Sequence, residues 1–339
     1  MKIKKSRYPL IIAELSANHN NSIIVAKKII NILSQSNIWA IKFQAFKPEN
    51  MAPKLNIKKY QIKDKKNIWK GDSFFNLYTK AATPYDWLKK LYIYSKKKKI
   101  TCFSSVFDEE SLEFLESIKN PIYKIASFEN TDLELIKKVS KTKKPLIISL
   151  GMTKLNEIYD AVETAKINGC RDLTLLKCTS SYPARNEELN LSTIADLKKR
   201  FKCRIGFSDH TSDHIAPVVA TSMGAEMIEK HVKLDDGIGL DSKFSMKARD
   251  FKKLSKYCSI AKDSLGKIQY DLSKSEKKSV KNKRSLYFGK DLLKNTIIKK
   301  EHLLRLRPGR GLKIKLIKSV IGKKLTKSVK KFTPVKLPI

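Results

Sequence analysis

The stretch IYKIASFENTDLELIKKVSKTKKPLIISLG, Ile122 to Gly151, holds one copy of a pattern that runs through most of the chain. It opens with a short apolar run, IYKIAS (122–127), and passes through TDLELIKKVSK (131–141), whose apolar residues recur at helical spacing. It closes with a second apolar run, PLIISLG (145–151). A continuous apolar run, rather than an alternating one, belongs to a strand buried on both faces, as in a parallel sheet covered by helices. Strand, helix and strand within about thirty residues make a βαβ unit.

Outward from this unit the same alternation recurs. Before it come PLIIAEL (9–15), IWAIKFQ (38–44) and ITCFSS (100–105), and after it DLTLLKCT (172–179), RIGFSD (204–209) and AEMIEKH (225–231). DEESLEFLESI (108–118) is another helical segment between runs. Eight apolar runs separated by amphipathic, Lys-rich segments predict an α/β fold, a (β/α)8 TIM barrel. The segment 45–99 reads as a long insertion between the second and third strands, and insertions of that length tend to cover a site. From about residue 267 the pattern changes. The expected organisation is a barrel over 1–266, a polar linker over 267–283 (KIQYDLSKSEKKSVKNK lies here) and a small module over 284–339.

The 339 residues carry a net charge of +38, and 41% are hydrophobic, enough for a large core. The charge raises the question of a nucleic-acid surface. Lys supplies most of the basic residues, however, and Lys, Ile and Asn are abundant together, as a biased coding composition would give. Runs such as SKKKKI (95–100) read as solvated helix ends, and no nucleic-acid-binding motif accompanies them. Neither nucleic acid nor a membrane is therefore an expected partner. YPLIIAEL is too short for a signal-peptide core, and no apolar run reaches the ~18 residues of a membrane span. Cys102, Cys170, Cys178, Cys203 and Cys258 show no metal-like spacing and read as reduced, buried thiols of a cytoplasmic protein.

Barrel active sites form at the C-terminal ends of the strands. Reading those ends in order gives Glu14 with Asn18 and His19, then Lys42 and Gln44, then Ser104 and Ser105. Lys124, Ser127 and Glu129 follow, then Ser149, then Thr179, Ser180, Ser181 and Tyr182. Ser208, Asp209 and His210 end the seventh run, and Glu229 and His231 the eighth. Lys42 and Lys124 lie within apolar strands, where an unpaired charge is costly. Either they form ion pairs with Glu14 or Glu129, or they await an anionic substrate, and the accompanying hydroxyls point to phosphate. His210 and His231 end neighbouring strands and can meet at one point. They are either a two-histidine metal site with open positions or two ordinary hydrogen-bonded imidazoles. His214 reads as structural or as a support behind the other two, and His302, in the tail, as a surface residue.

The motifs IAELSANHN, IKFQ, KIAS, SLGM, CTSSYP, GFSDHT and EKH occur in that order. Together they resemble the sialic acid synthase family, the phosphoenolpyruvate (PEP)-dependent nonulosonate synthases, over about residues 9 to 325. AELSANHN, and LYTKAATPYDW (77–87) in the insertion, most resemble the pseudaminic acid synthase branch. The tail resembles the antifreeze-like (SAF) domain. The resemblance implies a transferase of carbohydrate biosynthesis that condenses PEP with 2,4-diacetamido-2,4,6-trideoxy-β-L-altrose and water, giving a nonulosonic acid and phosphate.

The resemblance also implies roles. A divalent metal, Mn2+ or Mg2+, would be held by His210 and His231. PEP would be bound by Lys42, Ser105, Lys124, Ser127, Ser149, Ser181, Tyr182 and Ser208. Glu14 and Glu129 would lie beside the reacting atoms. Asp241 would contact the sugar, and Arg307 would enter the partner's site in a domain-swapped homodimer. SSYP lacks the family's Asn, GIGLDS lacks the usual Pro, and Phe332 replaces the usual Gly of the tail. N-acetylneuraminate and legionaminate synthases share the chemistry and are the alternatives, and a catalytically idle basic binding protein is the reading from another class.

Overall fold

The computed structural model describes residues 2–55, 60–63 and 68–339. Its eight barrel strands are β1 (Leu10–Glu14), β2 (Ala40–Ala45), β3 (Thr101–Val106), β4 (Tyr123–Ile125), β5 (Leu146–Ser149), β6 (Leu173–Cys178), β7 (Arg204–Asp209) and β8 (Met227–Lys233). They pair in sequence order, all parallel, and β1 closes on β8, with Glu14 opposite His231. A two-residue strand, β9 (Met246–Lys247), pairs with the end of β8. All eight apolar runs became strands. The helices are α1 (Ile23–Leu33), α2 (Pro48–Met51), α3 (Phe74–Ala81), α4 (Tyr85–Lys97), α5 (Glu109–Ser117), α6 (Leu133–Lys141), α7 (Leu155–Ile167), α8 (Thr193–Phe201), α9 (Ile215–Ser222) and α10 (Phe251–Leu265). Asp108 caps α5 and Asp132 caps α6, each accepting a backbone N–H from the first turn.

Side chains alternate across each strand, so every barrel strand feeds two cores. Ile11, Ala13, Ile41, Phe43 and Ile148 point out and pack under the helices. Ile12, Ala40, Phe103, Ile147, Leu176 and Met227 point in and form an apolar layer, with Ile3 of the N-terminal segment packed against it. Gly206 fills the corresponding position of β7, where a Cβ would fall 2.6 Å from Leu176 Cδ2. Two residues further along the strands the interior turns polar, with Glu14, Lys42, Ser149, Ser208 and Glu229 all buried.

The insertion is shorter than the sequence suggested. α4, the last part of 45–99, is the ordinary crossover helix between β2 and β3, burying Leu88 and Leu91. Residues 56–59 and 64–67 of the insertion lie outside the described residues.

The chain divides into two compact units, Met1–Gly266 and Lys267–Ile339. The second holds α11 (Lys274–Ser279) and the antiparallel pair β10 (Ser285–Phe288) and β11 (Leu303–Leu306). Its core gathers Leu286, Phe288, Ile298, Val320, Leu325 and Val335. α11 falls in the segment read as linker, where a Ser273–Glu276 capping box starts it. His302, expected at the surface, is 7% exposed, and its Nδ1 accepts the Lys299 N–H.

Candidate active site

A cavity of about 390 Å³ opens at the C-terminal ends of the barrel strands. Its floor is the polar layer, and its charges are paired. Lys42 Nζ forms an ion pair with Glu14 Oε2, donates to Ser105 Oγ at 2.9 Å and lies 3.6 Å from Glu229 Oε1. Lys124 Nζ reaches the same Glu229 oxygen at 3.3 Å, as does the Ser208 hydroxyl. Both lysines are only 2% exposed. Burial opposes the Glu229 charge, but Lys124, Lys42 and His231 outweigh it and hold the carboxyl at about 2. Burial likewise opposes the Lys42 charge, but Glu14 and Glu229 keep its pKa above the ordinary lysine value. Lys124 is drawn below that value by burial, with Glu229 only partly compensating. Glu14 is raised by burial against the pull of Lys42.

Across the mouth, burial pushes the Glu129 carboxyl up to about 7, with Lys124 opposing. Such a group changes protonation near neutral pH and suits proton transfer. Glu129 Oε2, Ser149 Oγ, Glu229 Oε2 and His231 Nδ1 are buried polar atoms without a hydrogen-bond partner, and all four residues line this cavity. Buried polar groups are normally satisfied, so such a concentration marks a place where a polar ligand is received.

The two imidazoles have ring centroids 5.3 Å apart. His210 Nδ1 lies 3.0 Å from the Thr179 carbonyl, which can only accept. Nδ1 therefore carries a proton, and Nε2 is the nitrogen left to meet a further group. His231 Nδ1 lies 3.5 Å from Asp241 Oδ2. Burial opposes the Asp241 charge, yet His231, the Ser16 hydroxyl and the Ala17 N–H hold its carboxyl low. Phe244 packs against both rings, 4.9 Å from His231 and 6.0 Å from His210, and Tyr182 lies 4.5 Å from His210.

The insertion supplies the apolar side of the cavity through Phe46, Met51, Trp69, Phe74, Leu77 and Tyr78. Trp69 Nε1 donates to the Leu240 carbonyl at 3.3 Å, beside Asp241. His19, buried and kept neutral by that burial, holds the Ala81 carbonyl at 3.3 Å and meets Trp87 edge-on. It ties the loop after β1 to the insertion.

The NeuB family model matches residues 29–270. The chain belongs to the NeuB family. A pseudaminic acid synthase from Campylobacter jejuni serotype O:23/36 is 38% identical to this NeuB-family chain over 323 residues, 94% of this chain and 93% of that one. An N,N'-diacetyllegionaminic acid synthase from Campylobacter jejuni serotype O:2 is 35% identical over 326 residues, 95% of this chain and 97% of that one. The solved structure of an N-acetylneuraminic acid (sialic acid) synthetase from Leptospira borgpetersenii, in complex with citrate, gives a TM-score of 0.72 at 30% identity, covering 82% of this chain and 93% of that chain. The resemblance to the sialic acid synthase family read from the motifs is thereby borne out.

Most of the residues singled out in the NeuB-family sequence come together here. Lys42, Lys124, Ser127, Glu129, Ser149, Tyr182, Ser208, His210, His231 and Asp241 all line the one cavity. Three do not. Ser105 is fully buried with its hydroxyl engaged by Lys42. Ser181 turns its hydroxyl to the Pro183 carbonyl, and Ser180 takes the lining position. Arg307 belongs to the second unit, exposed just beyond β11. Glu14 lies beneath the lining, against Lys42. The partner of Lys124 is Glu229 rather than Glu129, because the closed barrel sets β8 across its interior from β4.

Three contributors went unassigned in the sequence. Asn18 accepts the Asp241 N–H at 3.1 Å and donates to Val232 and Ser245, fixing the Asp241 loop. Phe244 lies outside every strand-like run. Cys178, read as a reduced, buried thiol, lies 3.8 Å from His210 Nδ1. Burial opposes its ionisation, but His210, Ser127 and Ser180 bring the thiol down to about 7. Strand alternation, counted from Leu176, would have placed it inside the barrel. His214 begins α9 and meets Tyr257 edge-on, away from the other two histidines.

Among the described residues, no group of three or more His, Cys, Asp or Glu side chains is arranged to hold a metal ion. His210, whose pinned Nδ1 leaves Nε2 as the free donor atom, together with His231 and the Asp241 carboxylate, nonetheless suits a divalent cation that takes further oxygens from a substrate. No helix among the described residues is long and apolar enough to cross a membrane.

Proposed function

We propose that this chain is a pseudaminic acid synthase, a cytoplasmic transferase that joins PEP, water and 2,4-diacetamido-2,4,6-trideoxy-β-L-altrose into pseudaminic acid and phosphate. The observation that carries the reading is the cavity floor, where two lysines share one glutamate beside two imidazoles. The 38% identity over 94% of the chain to a pseudaminic acid synthase supports the branch. The 35% identity to a legionaminic acid synthase makes that sugar the second reading, with the same chemistry.

Lys42 and Lys124 offer PEP two cations already balanced by Glu14 and Glu229. An entering trianion therefore meets no bare like charge and leaves no lysine stranded when it departs. Ser127, Ser149, Ser180 and Ser208 supply hydroxyls for the phosphate and carboxylate oxygens. In the condensation PEP C3 bonds to the aldehyde carbon and water adds at PEP C2. The bond from C2 to the bridging oxygen then breaks, and phosphate leaves with that oxygen. The water gives up both protons as its oxygen becomes the C2 keto oxygen, one ending on the aldehyde oxygen and the other on the departing phosphate. Glu129, with its carboxyl at about 7, is the group placed to move protons at the mouth. His210 and His231 would hold a divalent metal, Mn2+ or Mg2+, which when bound polarises the aldehyde carbonyl. Asn18 and the Asp241 loop would orient the sugar.

The unit 284–339 is read as a SAF domain that delivers Arg307 to the partner's site in a domain-swapped homodimer, as the motif resemblance implies. The test of the proposal is phosphate release from PEP with Mn2+, offering the altrose sugar, the legionaminate precursor and N-acetylmannosamine in parallel. Release with the altrose sugar alone is expected. Release only with another sugar refutes the branch, and no release with any refutes the synthase reading.

A further inference from the structure

Strand alternation sends Ser208, His210, Glu229 and His231 into the barrel and Asp209 and Lys230 away from its axis. Those two outward residues are directly paired across β7 and β8. They are also wholly buried, each 0% exposed. Lys230 Nζ forms an ion pair with Asp209 Oδ2 and donates to the Thr211 carbonyl at 2.7 Å. Asp209 Oδ1 accepts the Thr211 N–H at 2.9 Å, and Oδ2 accepts the Thr211 hydroxyl at 3.1 Å. The residues on both sides of His210 are thus tied to the residue that precedes His231.

The position of this cluster gives it a purpose. The paired register of β7 and β8 ends at Asp209 and Lys230. His210 lies one residue past that end, where no ladder bond fixes its distance from β8. A buried ion pair is a poor device for stability alone, since apolar residues of similar volume do as well or better. It is a good device for geometry, because its hydrogen bonds are directional.

We infer that Lys230 and Asp209 are positioning residues that lock His210 at its distance from His231 and so set the affinity of the metal site. This rests on the metal reading given above. The experiment is a titration of the purified full chain with Mn2+ alone, free ion read by electron paramagnetic resonance, on wild type, Lys230→Met, Asp209→Asn and the double variant Asp209→Leu/Lys230→Met. Melting temperature and PEP affinity are measured alongside. Outer residues that orient ligands cost about 10–100-fold in metal affinity when lost.

The expected result is Mn2+ binding at least about tenfold weaker in Lys230→Met and in the double variant, with PEP affinity unchanged within about twofold. The double variant leaves no unpaired buried charge, so it reports on geometry even where Lys230→Met does not fold. A lowered melting temperature with wild-type Mn2+ affinity, in any variant that folds, overturns the inference and leaves the pair a structural one. Absence of Mn2+ binding by the wild type overturns the metal reading itself.

Discussion

Lys42→Met is the most informative single change, because the structure says what it strands. The ammonium is 2% exposed and stands between Glu14 and Glu229, the second at 3.6 Å. At an effective dielectric of about 20, an interaction at that distance is worth about 5 kcal/mol. Removing one partner of a buried pair costs roughly 3–5 kcal/mol, because the remaining charge stays desolvated. At about 2–4 °C per kcal/mol for a unit of this size, the melting temperature should fall by roughly 6–20 °C near pH 7.5. Glu14, already raised by burial, would rise further without its cation. A carboxyl whose folded pKa lies above its unfolded value of about 4.3 takes up a proton on folding, so stability falls as pH rises through that window. The deficit should therefore be small near pH 5 and large near pH 8. The assay is thermal denaturation of both proteins across that range, with PEP affinity in parallel. Loss of a charge-assisted contact of about 1.5–3 kcal/mol predicts roughly 10–150-fold weaker PEP binding. A melting temperature within about one degree of wild type, or a deficit that does not depend on pH, would mean that Lys42 does not neutralise these buried carboxylates.

Three other outcomes are expected. Glu129→Gln should remove the limb of the pH–rate profile near 7. It should also raise the melting temperature relative to wild type at pH 8 but not at pH 4, since the native carboxyl, raised to about 7, lowers stability as pH climbs from about 4.3 through 7; a limb that survives the change removes Glu129 from proton transfer. His231→Ala should abolish Mn2+ binding and turnover while the circular dichroism spectrum stays that of the wild type, and turnover in the chelated variant would contradict the metal role. Arg307→Ala should raise the sugar KM about tenfold, the loss of one charge-assisted contact, with PEP KM unchanged; a wild-type sugar KM argues against a site shared between subunits.

The barrel was legible because parallel strands bury both faces, so each strand wrote itself as an unbroken apolar run, IYKIAS and PLIISLG among them. Lys42 and Lys124 stood out against that background for the same reason. What local sequence could not show was closure. The partner of Lys124 is Glu229, 105 residues away, brought near only when β8 joins β1. Ser180 and Ser181 lie past the end of β6, where alternation no longer says which side chain turns inward. Ser105, named with Ser104 at the end of its run, lies inside the barrel, but its hydroxyl is taken by Lys42. Phe244 belongs to a loop whose path depends on Asn18, and Cys178 was set aside for its residue type when its position in β6 already placed it inside.

Condensation of PEP at carbon on this floor breaks its C–O bond rather than its P–O bond. The most direct measurement uses PEP labelled with 18O at the bridging oxygen, turned over with Mn2+ and the altrose sugar, with mass spectrometry of both products. The label is expected in the released phosphate and absent from the nonulosonic acid. Label retained in the sugar acid would mean P–O cleavage, and would contradict that expectation.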